Sequence, residues 1–285
     1  MDDSRETKKV VGTRRLKEAM AKPAALRIIT VANQKGGVGK TTTTVNMAAA
    51  LAQAGFQVLV IDLDPQGNAS TALGISHAEG VLSIYEVLSG EAGLAAAIAP
   101  CPDIQGLFGV PATVDLAGAE IELVNAEERE FALSRAIGTY LGTGLAAGKA
   151  LDFILIDCPP SLGLLTLNGL VAAEEVLLPI QCEYYALEGL SQLLRTIEMV
   201  RASLNPELEV SAILLTMYDG RTRLASQVAD EVRNHFGTRV LSTVIPRSVR
   251  LSEAPSYSQT VLTYDPSSAG ALCYREAALE FAAIK

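Results

Sequence analysis

Three things are scarce in this chain of 285 residues: cysteine, lysine and long apolar runs. The four cysteines, at positions 101, 158, 182 and 273, form no C-x-x-C and no paired spacing. That argues against a disulfide framework or a zinc site and leaves reduced thiols as the plain reading. No apolar run reaches the length of about eighteen residues that marks a membrane-crossing helix, and no secretory leader opens the chain. A soluble cytoplasmic protein is expected. Internal repeats and low-complexity segments are also missing. Between Leu26 and Lys285 there are only four lysines, Lys35, Lys40, Lys149 and Lys285, and two of them share one six-residue window.

What the chain does have is apolar bulk, with 49% hydrophobic and 19% charged residues. That is the balance of a globular protein, and the length suits one domain with a large core. The net charge of −9 is uneven. Residues 1–25 carry seven basic and four acidic side chains, a balance of +3, which leaves −12 for the remainder. Residues 1–25 therefore read as a basic arm preceding a domain at 26–285. Solvated tail is the default for such an arm; contact with nucleic acid, a membrane or a partner is the alternative.

The lysine pair lies in Asn33-Gln34-Lys35-Gly36-Gly37-Val38-Gly39-Lys40-Thr41-Thr42. A phosphate-binding loop asks for Gly, four residues, then Gly-Lys-Ser/Thr. Gly39, Lys40 and Thr41 satisfy it, while Gln34 stands where the first glycine belongs and Lys35 follows. Upstream, Leu26–Ala32 is a short β-branched run that reads as a buried strand. Downstream, Thr41–Gly55 has helical composition closed by a glycine. In that context Gly36, Gly37 and Gly39 let backbone N–H groups ring a phosphate, helped by the helix N-terminus. Lys40 would reach the β- and γ-phosphates and the Thr41 hydroxyl would meet Mg²⁺. Lys35 is either a plain surface lysine or a second cation drawn to the same anion, since two ammonium groups this close repel without one.

Further along, Gln57–Asp62, Leu107–Val110, Leu151–Asp157, Val176–Ile180, Val210–Thr216 and Val240–Ile245 read as strands. Helices are expected near Ser83–Leu88, Ala126–Leu141, Ala186–Ser203, Leu224–Phe236 and Ala269–Ile284. Apolar strands alternating with helices predict an α/β fold, a single domain with a mostly parallel sheet covered by helices on both faces. Ligands of such sheets bind at the carboxyl ends of the strands. The glycine loop, Asp62, Asp64 and Asp157 all fall at such ends. Asp157 would hold Mg²⁺ through water, or else cap the next helix. Asp64 is the candidate to polarise an attacking water. Asp62 orients the metal shell or is structural. The two share a face if the strand runs on, and a turn at Pro65 would part them.

These residues resemble the ParA/MinD ATPases. Lys35–Thr42 looks like their deviant Walker A box, Asp62-Leu63-Asp64-Pro65-Gln66-Gly67-Asn68 like the second box, and Leu155–Ser161 like Walker B. Gln181–Leu190, Leu215–Thr222 and Val244–Ser256 resemble the ParA (Soj) branch, so the likeness covers about residues 26–285. The resemblance implies two ATP-bound subunits in a sandwich dimer, with Lys35 reaching the partner's phosphates and Asp64 needed for hydrolysis. It implies that Pro246 and Ser248 line the nucleotide. It also implies that Arg221 and Arg250, with Arg247 a further candidate, bind double-stranded DNA non-specifically. A ParB-type centromere-binding partner would stimulate slow hydrolysis and release, in a cytoplasmic, nucleoid-associated cycle segregating chromosomes or plasmids.

The arginines answer the objection from net charge. Asp219–Arg250 holds six arginines and three acids, a local +3 with no lysine, and affinity for DNA depends on local rather than total charge. The rivals are a MinD-like membrane-cycling ATPase, a relative that positions a non-DNA cargo, and an iron–sulfur relative. The C-terminal Ala277–Lys285 carries one terminal lysine and suits a core helix better than a membrane anchor, so no stable membrane association is expected.

Overall fold

The structure, a computed structural model, describes residues 20–143, 150–183 and 186–284. Residues 1–19 of the basic arm, Lys149, Tyr184, Tyr185 and Lys285 lie outside the described residues. The elements run β1 (Arg27–Val31), α1 (Lys40–Gln53), β2 (Val58–Asp62), α2 (Asn68–Ala72), α3 (Ile84–Ser89), α4 (Leu94–Ala97), β3 (Ala99–Pro100), β4 (Leu107–Val110), α5 (Leu116–Glu122) and α6 (Ala132–Gly142). They continue with β5 (Phe153–Asp157), α7 (Leu164–Ala172), β6 (Glu175–Gln181), α8 (Ala186–Ser203), β7 (Glu209–Tyr218), α9 (Arg223–Phe236), β8 (Val240–Pro246), α10 (Val249–Glu253), α11 (Val261–Tyr264) and α12 (Ala269–Ala282).

The strands form one eight-stranded sheet in the order β3-β4-β2-β5-β1-β6-β7-β8. Every pairing is parallel except the short β3 against β4. β2 and β5 are buried along their whole length, as unbroken apolar runs in a parallel sheet must be when both faces are covered. One core cluster carries Leu59, Ile61, Ile154 and Ile156. The other carries Val58, Val60, Phe153 and Leu155. Neighbours in sequence thus serve opposite faces, as the two-residue period of a strand requires.

Two departures from the sequence reading have physical causes. The helix expected from Ala126 starts at Ala132, after a 3₁₀ turn at Arg129–Phe131. Glu128 enters that turn with φ 51°, in the left-handed region, and an α-helix cannot continue through such a residue. Helix α7, implied as the helix after Asp157, was given no position by the sequence reading. It is a buried leucine-rich segment with no side-chain cap at Gly163. Its Gly169 lets it lie against β1 and β5: the Thr30 hydroxyl donates to the Gly169 carbonyl at 2.6 Å. A Cβ at Gly169 would come within 2.9 Å of Cys158 Sγ.

The last helix, α12, seals the sheet. Tyr274, Ala277, Ala278 and Phe281 are buried against α1 and β8. The Arg27 guanidinium lies 4.5 Å over the Phe281 ring, donates to the Phe281 carbonyl at 3.0 Å, and pairs with both oxygens of Glu175 at 2.6 and 2.7 Å. Among the described residues no helix is long and apolar enough to cross a membrane. Replacing Phe281 with Ala removes a fully buried ring and the seat of Arg27, so the variant should lose about 3–5 kcal/mol. Urea denaturation followed by circular dichroism measures it; a loss below about 1 kcal/mol would contradict this role for α12.

Candidate nucleotide site

The loop between β1 and α1 is held by β6 and β7. The Asn33 side chain donates to the Pro179 carbonyl of β6 at 2.7 Å and accepts from the Lys35 N–H at 3.0 Å. The Thr216 hydroxyl of β7 donates to the Val38 carbonyl at 2.8 Å. Gly37 and Gly39 have φ of 74° and 89°, and Gly39 caps α1 in the left-handed conformation, which costs a residue with a Cβ far more than it costs glycine. The first turn of α1 carries no acidic residue, so its free N–H groups and the helix dipole favour an anion. They open on a cleft of about 520 Å³ lined by Gly36, Gly37, Lys40, Thr41, Asp64 and Pro160, among others. A smaller cavity of about 140 Å³ adjoins it, lined by Thr42, Met217, Pro246, Ser248 and Tyr274. Gly39, Thr42, Met217, Leu251 and Ser252 line both.

The two lysines diverge. Lys40 is buried, and its ammonium donates to the Lys35 carbonyl at 3.3 Å. Burial lowers its pKa, opposed by the charge of Asp157. The Lys35 ammonium instead leaves the loop and pairs with Glu183 Oε2 at 3.0 Å. Both side chains of that pair are nearly half exposed, at 41% and 45%.

The parallel sheet sets the aspartates side by side. Asp62 and Asp157 are register partners at the ends of β2 and β5, and both are fully buried. Asp62 is spoken for. Its Oδ2 accepts from the Ser70 N–H and hydroxyl at 2.9 and 2.7 Å, and its Oδ1 from the Asp64 N–H at 3.1 Å. It anchors the turn that follows β2, which favours the structural alternative over a metal role. That turn also parts it from Asp64, which lines the cleft and accepts from the Gln66 N–H at 3.0 Å.

Asp157 differs. Its Oδ1 accepts from the Thr44 hydroxyl at 2.8 Å, while the buried Oδ2 has no hydrogen-bond partner among the described residues. It does not cap α7, whose N-cap is Gly163. Burial pushes its pKa up to about 7, aided by the charge of Asp62 and opposed by the Thr41 and Thr44 hydroxyls. An orphaned buried carboxylate oxygen beside Thr41 fits a hydrated Mg²⁺, a hard cation that keeps several waters and takes oxygen ligands.

Ser70, Thr44 and Met217 escaped the sequence reading. Thr44 had a signal: it stands four residues after Lys40, on one face of α1. Met217, at φ 50°, had none.

The candidate arginines stand just beyond the ends of β7 and β8, at the loop's end of the sheet, and each has a carboxylate partner. Arg221 forks onto Asp219 at 2.8 and 2.7 Å, and those bonds hold Asp219 down to about 2. Arg250 meets Glu253 at 3.0 Å and Asp265 at 3.4 Å. Arg247 is 3.7 Å from Glu183.

A glycine loop at the end of β1, a buried lysine and an aspartate at the end of β5 define a P-loop nucleoside triphosphatase. The AAA domain family matches residues 26–210. Sporulation initiation inhibitor protein Soj of Bacillus subtilis is 51% identical over 90% of this chain and 98% of its own length. Chromosome partitioning protein ParA of Caulobacter vibrioides is 51% identical over 90% and 93%. A crystal structure titled cobyrinic acid a,c-diamide synthase from Mycobacterium smegmatis, with an ATP analogue and magnesium bound, superposes with TM-score 0.75 at 41% identity, covering 89% of this chain and 93% of that one. The chain belongs to the ParA/Soj family of chromosome-partitioning ATPases. It is an ATPase.

The raised Asp157 pKa gives a test with two signs. The fold favours the protonated form, so this group's stabilisation is complete below its ordinary value of 3.8 and is lost as pH rises through about 7. Asp157→Asn removes that buried charge, so at pH 8 the nucleotide-free variant should melt no lower than the parent. The melting shift caused by ATP with Mg²⁺ should vanish. A variant that keeps the full shift would remove Asp157 from the metal site.

Proposed function

We propose that the chain is a DNA-partitioning ATPase whose ATP-bound form is a sandwich dimer, completed at each nucleotide by Lys35 of the other subunit. The observation that carries this is the divergence of the lysines: Lys40 stays in its own loop, while the Lys35 ammonium points out of it. A cation that stands off its own phosphate loop, on an exposed pair, is available to a neighbour. Lys35–Thr42 would bind ATP, with Pro246 and Ser248 beside it. Thr41 and, through water, Asp157 would hold Mg²⁺, which neutralises charge developing on the phosphates. Asp64, fixed by the Gln66 N–H, would orient the attacking water and take its proton.

The same dimer would bind DNA without sequence preference through Arg221, Arg250 and Arg247 of both subunits. The carboxylates now beside these arginines act as place-holders for phosphate, since exposed pairs exchange partners readily. A ParB-type centromere-binding partner would speed hydrolysis, and the dimer would then leave the DNA. Residues 26–285 form the ATPase unit in this reading, with residues 1–25 outside it, and the protein is cytoplasmic and nucleoid-associated. Partition is favoured over a membrane cycle because α12 spends its apolar face on the core: Ala277, Ala278 and Phe281 are fully buried. The relatives at 51% identity are named for partition or for Soj.

Gel shifts with an arbitrary duplex should show binding with ATP and none with ADP. Six phosphate contacts, three from each subunit, should give a slope of about −5 in log K against log salt. Binding that ignores the nucleotide would sink the DNA reading. Asp64→Ala should accumulate as an ATP-bound dimer on DNA because hydrolysis is its exit. A variant that elutes as a monomer with ATP in size-exclusion chromatography would show that Asp64 does something else.

A further inference from the structure

One carboxylate joins the residues assigned to pairing and to DNA. Glu183, two residues beyond β6, sends Oε2 to the Lys35 ammonium at 3.0 Å. Its Oε1 accepts from Gln181 Nε2 and lies 3.7 Å from the Arg247 guanidinium. The end of β6 therefore grips Lys35 twice. Asn33, tied to the Pro179 carbonyl, accepts its N–H, and Glu183 takes its ammonium. Glu183 borders neither cavity of the nucleotide site, so its reach to Lys35 is not explained by a nucleotide contact.

We infer that Glu183 is a holding residue for Lys35: it pairs with the ammonium in the free subunit, and the breaking of that pair sets the threshold for ATP-driven pairing. This rests on the dimer reading above and adds a step to it. The Lys35 ammonium must leave Glu183 before it can meet another subunit's phosphates. With Glu183 it has a resting place that costs little to leave, because the pair is exposed and weak. The Glu183 carboxylate is nearly half exposed, so once Lys35 departs water solvates it and release strands no buried charge. Glu183 is a positioning residue and touches no reacting atom.

The test uses the full-length protein with Asp64→Ala in the background, so that hydrolysis does not drain the dimer. Glu183→Gln keeps the size of the side chain and removes its charge. The ATP-dependent dimerisation constant, read by sedimentation, should tighten by about two- to five-fold, the range an exposed ion pair supports. Affinity of the monomer for a fluorescent ATP analogue should not change. Glu183→Asp should restore much of the parental threshold, which a merely structural role would not predict. Combined with Lys35→Ala, the Gln substitution should have no effect, because there is nothing left to hold. A Glu183→Gln protein that dimerises no more tightly than its parent, or that tightens equally with and without Lys35, overturns the inference. Lys35→Ala alone separates the two levels: it should bind nucleotide and fail to pair, and normal pairing would remove the dimer reading itself.

Discussion

The structure turns on what a parallel sheet does with charge at its carboxyl end. β1, β2 and β5 run side by side in one register, so the loop after β1 meets Asp62 and Asp157, both buried. Buried carboxylates are costly unless each is answered. Asp62 is answered within the chain by Ser70 and the Asp64 N–H. Asp157 is answered on one oxygen only. Lys40 lies beside it, buried and with a lowered pKa. The pocket thus holds charged groups without full partners, and in the proposed function ATP with Mg²⁺ is the ligand that meets them.

That imbalance bears on the second lysine. With Lys40 committed inside the loop, a second ammonium there would be repelled in the absence of a bound anion. The chain places Lys35 outside, on a carboxylate supplied by the next strand over. The arginines beyond β7 and β8 follow the same rule, each resting on an acid. The free subunit stores its outward-facing cations as weak internal pairs, and the proposed function consists of exchanging those pairs for phosphate.

Much of this was legible in the sequence because it depends on local order. Glycine spacing, an apolar run and a following helix locate the loop, and an apolar strand ending on Asp157 locates the metal side. What stayed hidden depends on contacts between distant segments. No spacing rule links Glu183 to Lys35, a pair that the sheet order makes, or Ser70 to Asp62, a pair that the turn after β2 makes. Helix α7 hid because a leucine-rich segment between two strands shows no polar face and no capping side chain, and Glu128 in a left-handed turn delayed α6. The arginine cluster was visible, and Asp219 and Glu253 lay close enough in sequence to suggest pairings, but Asp265 and Glu183 did not.

The central claim is that each nucleotide is served by lysines of two different subunits, and mixing two inactive proteins tests it most directly. Lys35→Ala retains its own loop lysine; Lys40→Ala retains the reaching one. In a mixed dimer only a crossing Lys35 rebuilds a complete site, at the nucleotide of the Lys35→Ala subunit. ATPase activity in the mixture that neither variant shows alone is the predicted result. A mixture as inactive as its parts would place both lysines at the same subunit's phosphates and contradict the account.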